Sequence, residues 1–334
     1  MMTVFLPFNQ HFLESPQLEN SWVAFGLTEI PDQSFLKSLT IIQPWRADFL
    51  NLQQVGFQCL PVLSNKPEEF AGGLLELNKH KKQNQNRFLT LLRSVKAGGV
   101  IVVSGDKTSG AHSFMKWVNE IIPISQKLSK NHGIVFWLTV PNDLKDDKIQ
   151  SLMGEPQKFE SAFTTEAGMF SHGRIDQGSQ MLVKYMERIV FGKTADFGAG
   201  WGYLSYEAIK EAKKLSEIDL YEADYNALKA AQKHLAGLNH SIAINYFWHD
   251  VIREPSEKIY DTILSNPPFH EGRAADVSLG QNFIEIAARH LKPGGCLLMV
   301  ANRQLPYEAT LNKVFRKVFV LEEKNGFKVF EARK

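Results

Sequence analysis

The chain has 334 residues, of which 44% are hydrophobic and 22% charged, with a formal net charge of +2. That length exceeds one average domain, so two are expected. The near-neutral balance excludes a binder driven by a basic tail while leaving room for a local basic patch. Only Cys59 and Cys296 occur, far apart, which excludes a disulfide framework or a cysteine-built metal site and suits a reducing cytoplasm. The opening residues MMTVFLPFNQHFLESP lack the cationic start and long apolar core of a signal peptide. No apolar run approaches the roughly 20 residues needed to span a bilayer. A soluble cytoplasmic protein with no metal and no membrane partner is expected.

In the first half, SLTIIQPW, GFQCLPVL, GVIVVSG and GIVFWLTV are strand-like and FLTLLRSV reads as a helix. A charged stretch punctuated by Pro141, Gly154 and Pro156 follows, placing a domain boundary near residue 150 and giving domains 1–150 and 151–334. Beyond it the chain alternates. KTADF, EIDLYE, AINYFW, YDTILS and CLLMVAN read as strands, separated by the helical runs YLSYEAIKEAKKL, YNALKAAQKHLAGL and LGQNFIEIAARHL. Such alternation implies a parallel sheet with helices on both faces. Asn325-Gly326 between two alternating runs near the C-terminus signals a hairpin. The expected second domain is therefore a doubly wound α/β sheet ending in an antiparallel hairpin. One echo links the halves: LLRSVKAGGVIVVSG against AARHLKPGGCLLMVAN. It reads either as a common helix-glycine-strand connection or as a duplicated domain.

The run ADFGAGWGYLSYEAIK places Asp196 at a strand end, then Gly198, Gly200 and Gly202, then a helix. Glycines permit a tight turn and close approach of a ligand, and a helix N-terminus offers free N–H groups to an anionic group. The spacing is not that of a dinucleotide fingerprint, because Tyr203 holds the third glycine's place. The next strand ends in Glu222, where a carboxylate can accept from two ribose hydroxyls. The following one ends in His249-Asp250, where Asp250 can accept from an adenine amino group. Either acid could instead be a solvated strand end or a helix cap. Together they surround the crevice at the carboxyl ends of successive strands, where such sheets bind ligands.

This series resembles class I S-adenosylmethionine-dependent methyltransferases. The resemblance implies that Gly198, Gly200 and Gly202 pack against the methionine part, that Asp196 binds its ammonium group directly or through water, and that Glu222 holds the ribose and Asp250 the adenine. The stretch YDTILSNPPFH follows the fourth strand of this half. Methyl transfer to an exocyclic amine is hindered because the lone pair is delocalised into the ring. Two acceptors aimed at the two N–H groups favour pyramidalisation, and the Asn266 side-chain oxygen and the Pro267 carbonyl can serve. Two prolines fix φ and donate no competing N–H, so the acceptors are in place before substrate arrives. Phe269 can stack on a base. The tetrapeptide resembles the motif of amino-methyltransferases acting on adenine, guanine or glutamine amides.

More of the second half, in GMFSHGRIDQGSQMLVKYM, SNPPFHEG, LKPGGCLLMVANRQLPYEATLNKVF and GFKVFEARK, resembles bacterial ribosomal RNA guanine-N2 methyltransferases of the RsmC type. The resemblance implies a Rossmann-like seven-stranded methyltransferase sheet preceded by a degenerate methyltransferase-like α/β domain that assists RNA binding and folding. It also puts Phe170, Asp176, Gly178, Ser179 and Gln180 beside the cofactor or the substrate entrance; Asp176 and Ser179 are taken as cofactor-binding. The loop GDKTSG in the first half is read as a relic of the glycine turn. Lys79, Lys81, Lys82, Arg87 and Arg93, with Arg273, Arg303, Lys313, Arg316 and Lys317, are candidate phosphate contacts or solvated helix faces. Trp201, Tyr203 and Trp248 could cover the adenine or receive the base, or fill the core. His270 and Glu271 could relay a proton.

The expected activity is S-adenosylmethionine-dependent methylation of a guanine N2 in ribosomal RNA, most simply 16S RNA, by a monomer. Rivals are the same chemistry on adenine N6 or a protein glutamine, and a non-catalytic assembly factor that binds RNA.

Overall fold

A computed structural model describes residues 3–17, 21–29, 33–64, 69–130, 133–144, 146–153, 156–160, 162–267 and 277–334. The chain divides into two compact units, Met1–Pro156 with Glu166–Gly168, and Gln157–Thr165 with Met169–Lys334. The charged stretch between the halves is more than a linker. It carries a helix, Asp146–Leu152, whose Ile149 is buried in the first unit's core.

The first unit holds strands β1 (Trp22–Phe25), β2 (Leu39–Ile42), β3 (Gln58–Leu60), β4 (Phe70–Glu76), β5 (Val95–Asp106), β6 (Gln126–Lys130) and β7 (Gly133–Thr139). Their order is β3-β2-β1-β4-β5-β7-β6. The second unit opens with a two-stranded ribbon, β8 (Gln157–Phe159) and β9 (Phe163–Thr165). Its main sheet comprises β10 (Phe191–Phe197), β11 (Lys214–Glu222), β12 (Ala243–Trp248), β13 (Tyr260–Ser265), β14 (Leu291–Asn302), β15 (Lys317–Lys324) and β16 (Phe327–Arg333), in the order β12-β11-β10-β13-β14-β16-β15.

The two orders are the same when each unit is counted from its own first strand. Within the two seven-stranded sheets, among the described residues, the antiparallel partners fall in matching places: β7 against β5 and β6, and β16 against β14 and β15. The echo noted in the sequence is therefore a duplicated fold. Its glycines explain why it survives as text. Gly98 and Gly294 both take left-handed backbone, φ +78° and +79°. Gly98 N–H donates to the Val140 carbonyl while Val140 N–H donates to Gly99; Gly294 N–H donates to Lys334 while Lys334 N–H donates to Gly295.

Strand β14 shows how the second core is built. Leu297, Met299 and Ala301 enter one apolar cluster, and Cys296, Leu298 and Val300 the other. Alternate side chains thus leave opposite faces of a sheet covered on both sides, which is why the strand reads as one unbroken apolar run. In the hairpin, Asn325 and Gly326 have φ +52° and +81°, the pair of positive values a tight two-residue turn needs.

Strands β1 and β4 and the helices Arg46–Val55 and Ala111–Ile121 were not expected from the sequence. In β4 the pattern is broken by Gly72 and Gly73; a side chain at Gly72 would run into the indole of Trp22 on the neighbouring strand. Among the described residues, no helix is long and apolar enough to cross a membrane.

Candidate active site

Strands β10 and β13 are parallel neighbours, with Phe197 level with Ser265, and Phe197 is level with Tyr221 of β11 on its other side. The residues that follow, Gly198, Asn266 and Glu222, therefore emerge side by side at the carboxyl ends of three adjacent strands. The chain reverses its direction of travel across the sheet between β10 and β13, the place where ligands bind in such sheets. A cleft lies there. Gly198, Gly200, Asp176, Ser179 and Asn266, predicted from separate motifs, all line it, as do Phe170, Trp201 and Tyr203.

The three glycines do different things. Gly198 and Gly200 hold φ of +74° and +55° on the cleft wall, and no heavy atom lies within 4 Å of where a Gly200 side chain would start. Gly202, with φ +88°, caps the Tyr203–Glu211 helix without lining the cleft. A Cβ there would sit 2.8 Å from that of Ala231, so this glycine serves helix packing where contact with the methionine part was expected.

The acids also separate. Asp196 is fully buried, with Oδ2 accepting from the Ser205 hydroxyl at 2.7 Å and Oδ1 without a partner among the described residues. It lies beneath the cleft wall, with no surface open for direct contact. Glu222 is buried beside it; its Oε2 accepts from Gly200 N–H and its Oε1 from Asp224 N–H, each at 2.7 Å. Asp250 spends Oδ1 on the Ile252 N–H at 3.0 Å and faces Arg253 with Oδ2. It is a turn cap and no part of the cleft lining.

Burial pushes the Asp196 carboxyl up to about 7, against the Ser205 hydrogen bonds. Burial likewise brings Glu222 to about 7, the Asp224 and Gly200 N–H groups opposing it and the Asp224 and Asp196 charges adding to it. In an unfolded chain such carboxyls titrate near 4. The folded state therefore holds these protons more tightly, and the stability they contribute, complete below about pH 4, is lost as pH rises through about 7. The ligand-free protein should melt at lower temperature at pH 8 than at pH 6, and calorimetry of Asp196→Asn should show that difference reduced.

Asn266 carries the sharpest geometry. Its Nδ2 donates to Asp176 Oδ2 at 2.9 Å and to Ser179 Oγ at 2.8 Å. Asp176 caps the Gln177–Val183 helix, the same Oδ2 accepting from Ser179 N–H at 2.9 Å. A carboxylate only accepts, so the NH2 end of the amide must face it. The Asn266 Oδ1 is left with no hydrogen bond among the described residues. Pro267 is buried beside it, whereas Pro268, Phe269, His270, Glu271 and Arg273 lie outside the described residues.

Trp201 is core as well as wall. It is 4% exposed, donates from Nε1 to the Phe170 carbonyl, and offers its own carbonyl to His234 Nδ1 at 2.8 Å. His234 and the β8–β9 ribbon, which together brace the glycine turn, carry no sequence signal. Trp248 donates to the Ala223 carbonyl and packs against a core cluster. Gly178 is buried against Asp176 and Phe327, and Gln180 is exposed. Of the basic candidates, Arg93, Lys313 and Arg303 face Asp146, Glu285 and Glu323. Lys79, Lys81, Lys82, Arg316 and Lys317 are exposed.

The counterpart of the glycine turn in the first unit is not GDKTSG, which closes β5. It is the single Gly26 after β1, in left-handed backbone with φ +78°. One glycine has no spacing, so no pattern could reveal it. Gln43, after β2, stands where Glu222 stands. Its Oε1 accepts from Trp45 N–H two residues on, as Glu222 does from Asp224, but its Nε2 donates to the Leu27 carbonyl. The amide satisfies itself within the loop. Among the described residues no group of three or more His, Cys, Asp or Glu could hold a metal ion.

Known proteins share these features. The methyltransferase small domain family pattern matches residues 160–331. A Psychromonas ingrahamii protein named ribosomal RNA small subunit methyltransferase C is 38% identical over 165 residues, spanning 49% of this chain and 46% of that relative's length. A Pseudomonas fluorescens protein of the same name is 30% identical over 275 residues, 80% of each chain. The T. thermophilus 16S rRNA N2 methyltransferase (RsmC), in complex with AdoMet and guanosine, has the same fold, with a TM-score of 0.79 over 97% of this chain and 90% of that one at 22% identity. With half its length matching the family pattern and four fifths aligned to the Pseudomonas relative, the chain belongs to the methyltransferase small domain family, as a member of the ribosomal RNA small subunit methyltransferase C group.

Proposed function

We propose that this chain transfers a methyl group from S-adenosylmethionine to the exocyclic N2 of a guanine in 16S ribosomal RNA, in the cytoplasm and as a monomer. The observation that carries the reading is the Asn266 amide, held with its NH2 turned away and its oxygen unpaired among the described residues, on the same cleft as the glycine turn. The names of the relatives, and the AdoMet and guanosine of the T. thermophilus complex, support the cofactor and the base.

The residues present fit that cofactor. Gly200 leaves open space where any other residue would put a side chain, and the N-terminus of the Tyr203–Glu211 helix stands behind it. Gly198 and Gly200 would hold the methionine part and Glu222 the ribose. Bound there, S-adenosylmethionine supplies an electrophilic methyl group on a sulfonium. The protein contributes orientation. Asn266 Oδ1 and the Pro267 carbonyl accept from the two N–H groups of the amine, both as neutral acceptors that avoid the cost of burying a charge. By the family resemblance Phe269, outside the described residues, would stack on the base, and the base must be unpaired or flipped to enter. The first unit assists RNA binding.

Mass spectrometry of nucleosides from 16S RNA of cells lacking the gene tests this. Loss of N2-methylguanosine is expected. Unchanged N2-methylguanosine with loss of N6-methyladenosine, or of methylglutamine from a protein, would overturn it.

A further inference from the structure

Asp176 and Ser179 sit 90 and 87 residues before Asn266 in the chain, yet both hydrogen bonds from its NH2 end on them. Free asparagine amides have two faces of nearly equal shape, and one half-turn of the side chain exchanges oxygen for NH2. Only the oxygen can accept from a substrate amine. An Asn266 turned the wrong way would present two N–H donors to a donor.

We infer that Asp176 and Ser179 are positioning residues that lock the Asn266 amide with its oxygen toward the substrate amine. They were expected to contact the cofactor, but the bonds they make point elsewhere. Asp176 uses a single oxygen for two tasks, capping the Gln177–Val183 helix through Ser179 N–H and receiving Asn266 Nδ2. The cap fixes the carboxylate, so the amide meets an acceptor whose own place is set by a helix end. Ser179, one turn in, receives the second proton with its hydroxyl and is 6% exposed. Gly178 completes the fit: a Cβ there would lie 3.0 Å from Asp176 Oδ2 and 3.0 Å from the Phe327 ring, so a side chain would press on both and one of them would have to give by a few tenths of an ångström. This explains why the run is Asp-x-Gly-Ser in chemical terms. Each residue serves the amide across the cleft.

The inference rests on the proposed amino-group methylation, and its test can fail separately. Serine is as good a helix cap as aspartate, but its hydroxyl is one bond shorter and cannot also reach Asn266. Asp176→Ser should therefore keep the melting temperature and the affinity for S-adenosylhomocysteine, while kcat on 16S RNA drops about 10²-fold, the scale of loss from a misplaced reacting group. Ser179→Ala should lower kcat about tenfold without changing that affinity, and Ser179→Thr, which restores the hydroxyl, should recover most of it. Normal kcat in Asp176→Ser and Ser179→Ala would overturn the inference, as would loss of cofactor affinity in step with activity. If the unaltered protein methylates no guanine, the functional reading fails instead. The amide lock then stands or falls on the Asn266 side-chain NH2 signals, which should exchange slowly with solvent in the unaltered protein and rapidly in Asp176→Ser.

Discussion

Replacing Asn266 with alanine should lower kcat by about 10²–10³-fold, the usual loss when one preorganised electrostatic partner of the transition state is removed. Affinity for S-adenosylhomocysteine should stay within a factor of two, because no cofactor group is held by this amide in the proposed arrangement. Asn266→Asp is the more telling variant. It sets a carboxyl where Nδ2 now lies 2.9 Å from Asp176 Oδ2, and two carboxylates so close cannot both ionise. At high pH the variant should be at least as inactive as Asn266→Ala. As pH falls, the pair takes up one proton; the introduced carboxyl can then donate its O–H to Asp176 and turn its carbonyl oxygen to the amine, as the native amide does. Activity should rise towards low pH. Single-turnover rates across pH, with cofactor saturating, would check this, and a flat profile would show that the pair does not control the acceptor.

At pH 8, where the Glu222 carboxyl is mostly ionised, Glu222→Gln should weaken S-adenosylhomocysteine binding by about 10- to 100-fold, since hydrogen bonds to a charged group are worth about 1.5–3 kcal/mol. Such a swap usually counts as conservative. Here both oxygens already accept from backbone N–H groups, of Gly200 and Asp224, so an amide must set its own NH2 against one of them. The first unit shows what an amide needs at this place. Gln43 is accommodated because the loop turns the Leu27 carbonyl towards its Nε2. In the catalytic unit it is the Gly200 N–H that faces Glu222 Oε2, so the Gly200 loop must shift to take an amide NH2, and the bend it forms is the wall of the cleft. Titration calorimetry would read the loss directly. Unchanged affinity would mean that the ribose is held elsewhere.

Much of the fold was legible. The alternating strands and helices of the second half, the final hairpin and the Lys-x-Gly-Gly echo were visible because period-2 apolar runs, positive-φ glycines and helix faces are local properties of the chain. The missing pieces have local causes too. β4 hides behind Gly72, which is glycine because Trp22 lies on it, and Gly26 is a glycine turn reduced to one residue. The site was legible in its parts. Gly198, Gly200 and Asn266 were each marked by a motif, and the parallel register of β10 with β13 brings them level. The roles were less so. Gly202 and Asp250 answered to packing and turn geometry, and Asp196 to burial, none of which spacing can report.

By itself the sequence determined much of the succession of strands and helices, the glycine turns where the chain bends in left-handed backbone, and a rigid proline corner after an asparagine, because these follow from steric limits within a few residues. Which way the asparagine faces, and that its partners are an aspartate and a serine some ninety residues earlier, was decided only in three dimensions. The physical reason is that a hydrogen bond depends on position and direction at a scale of ångströms, and those are set by how distant segments pack rather than by the order in which they are joined.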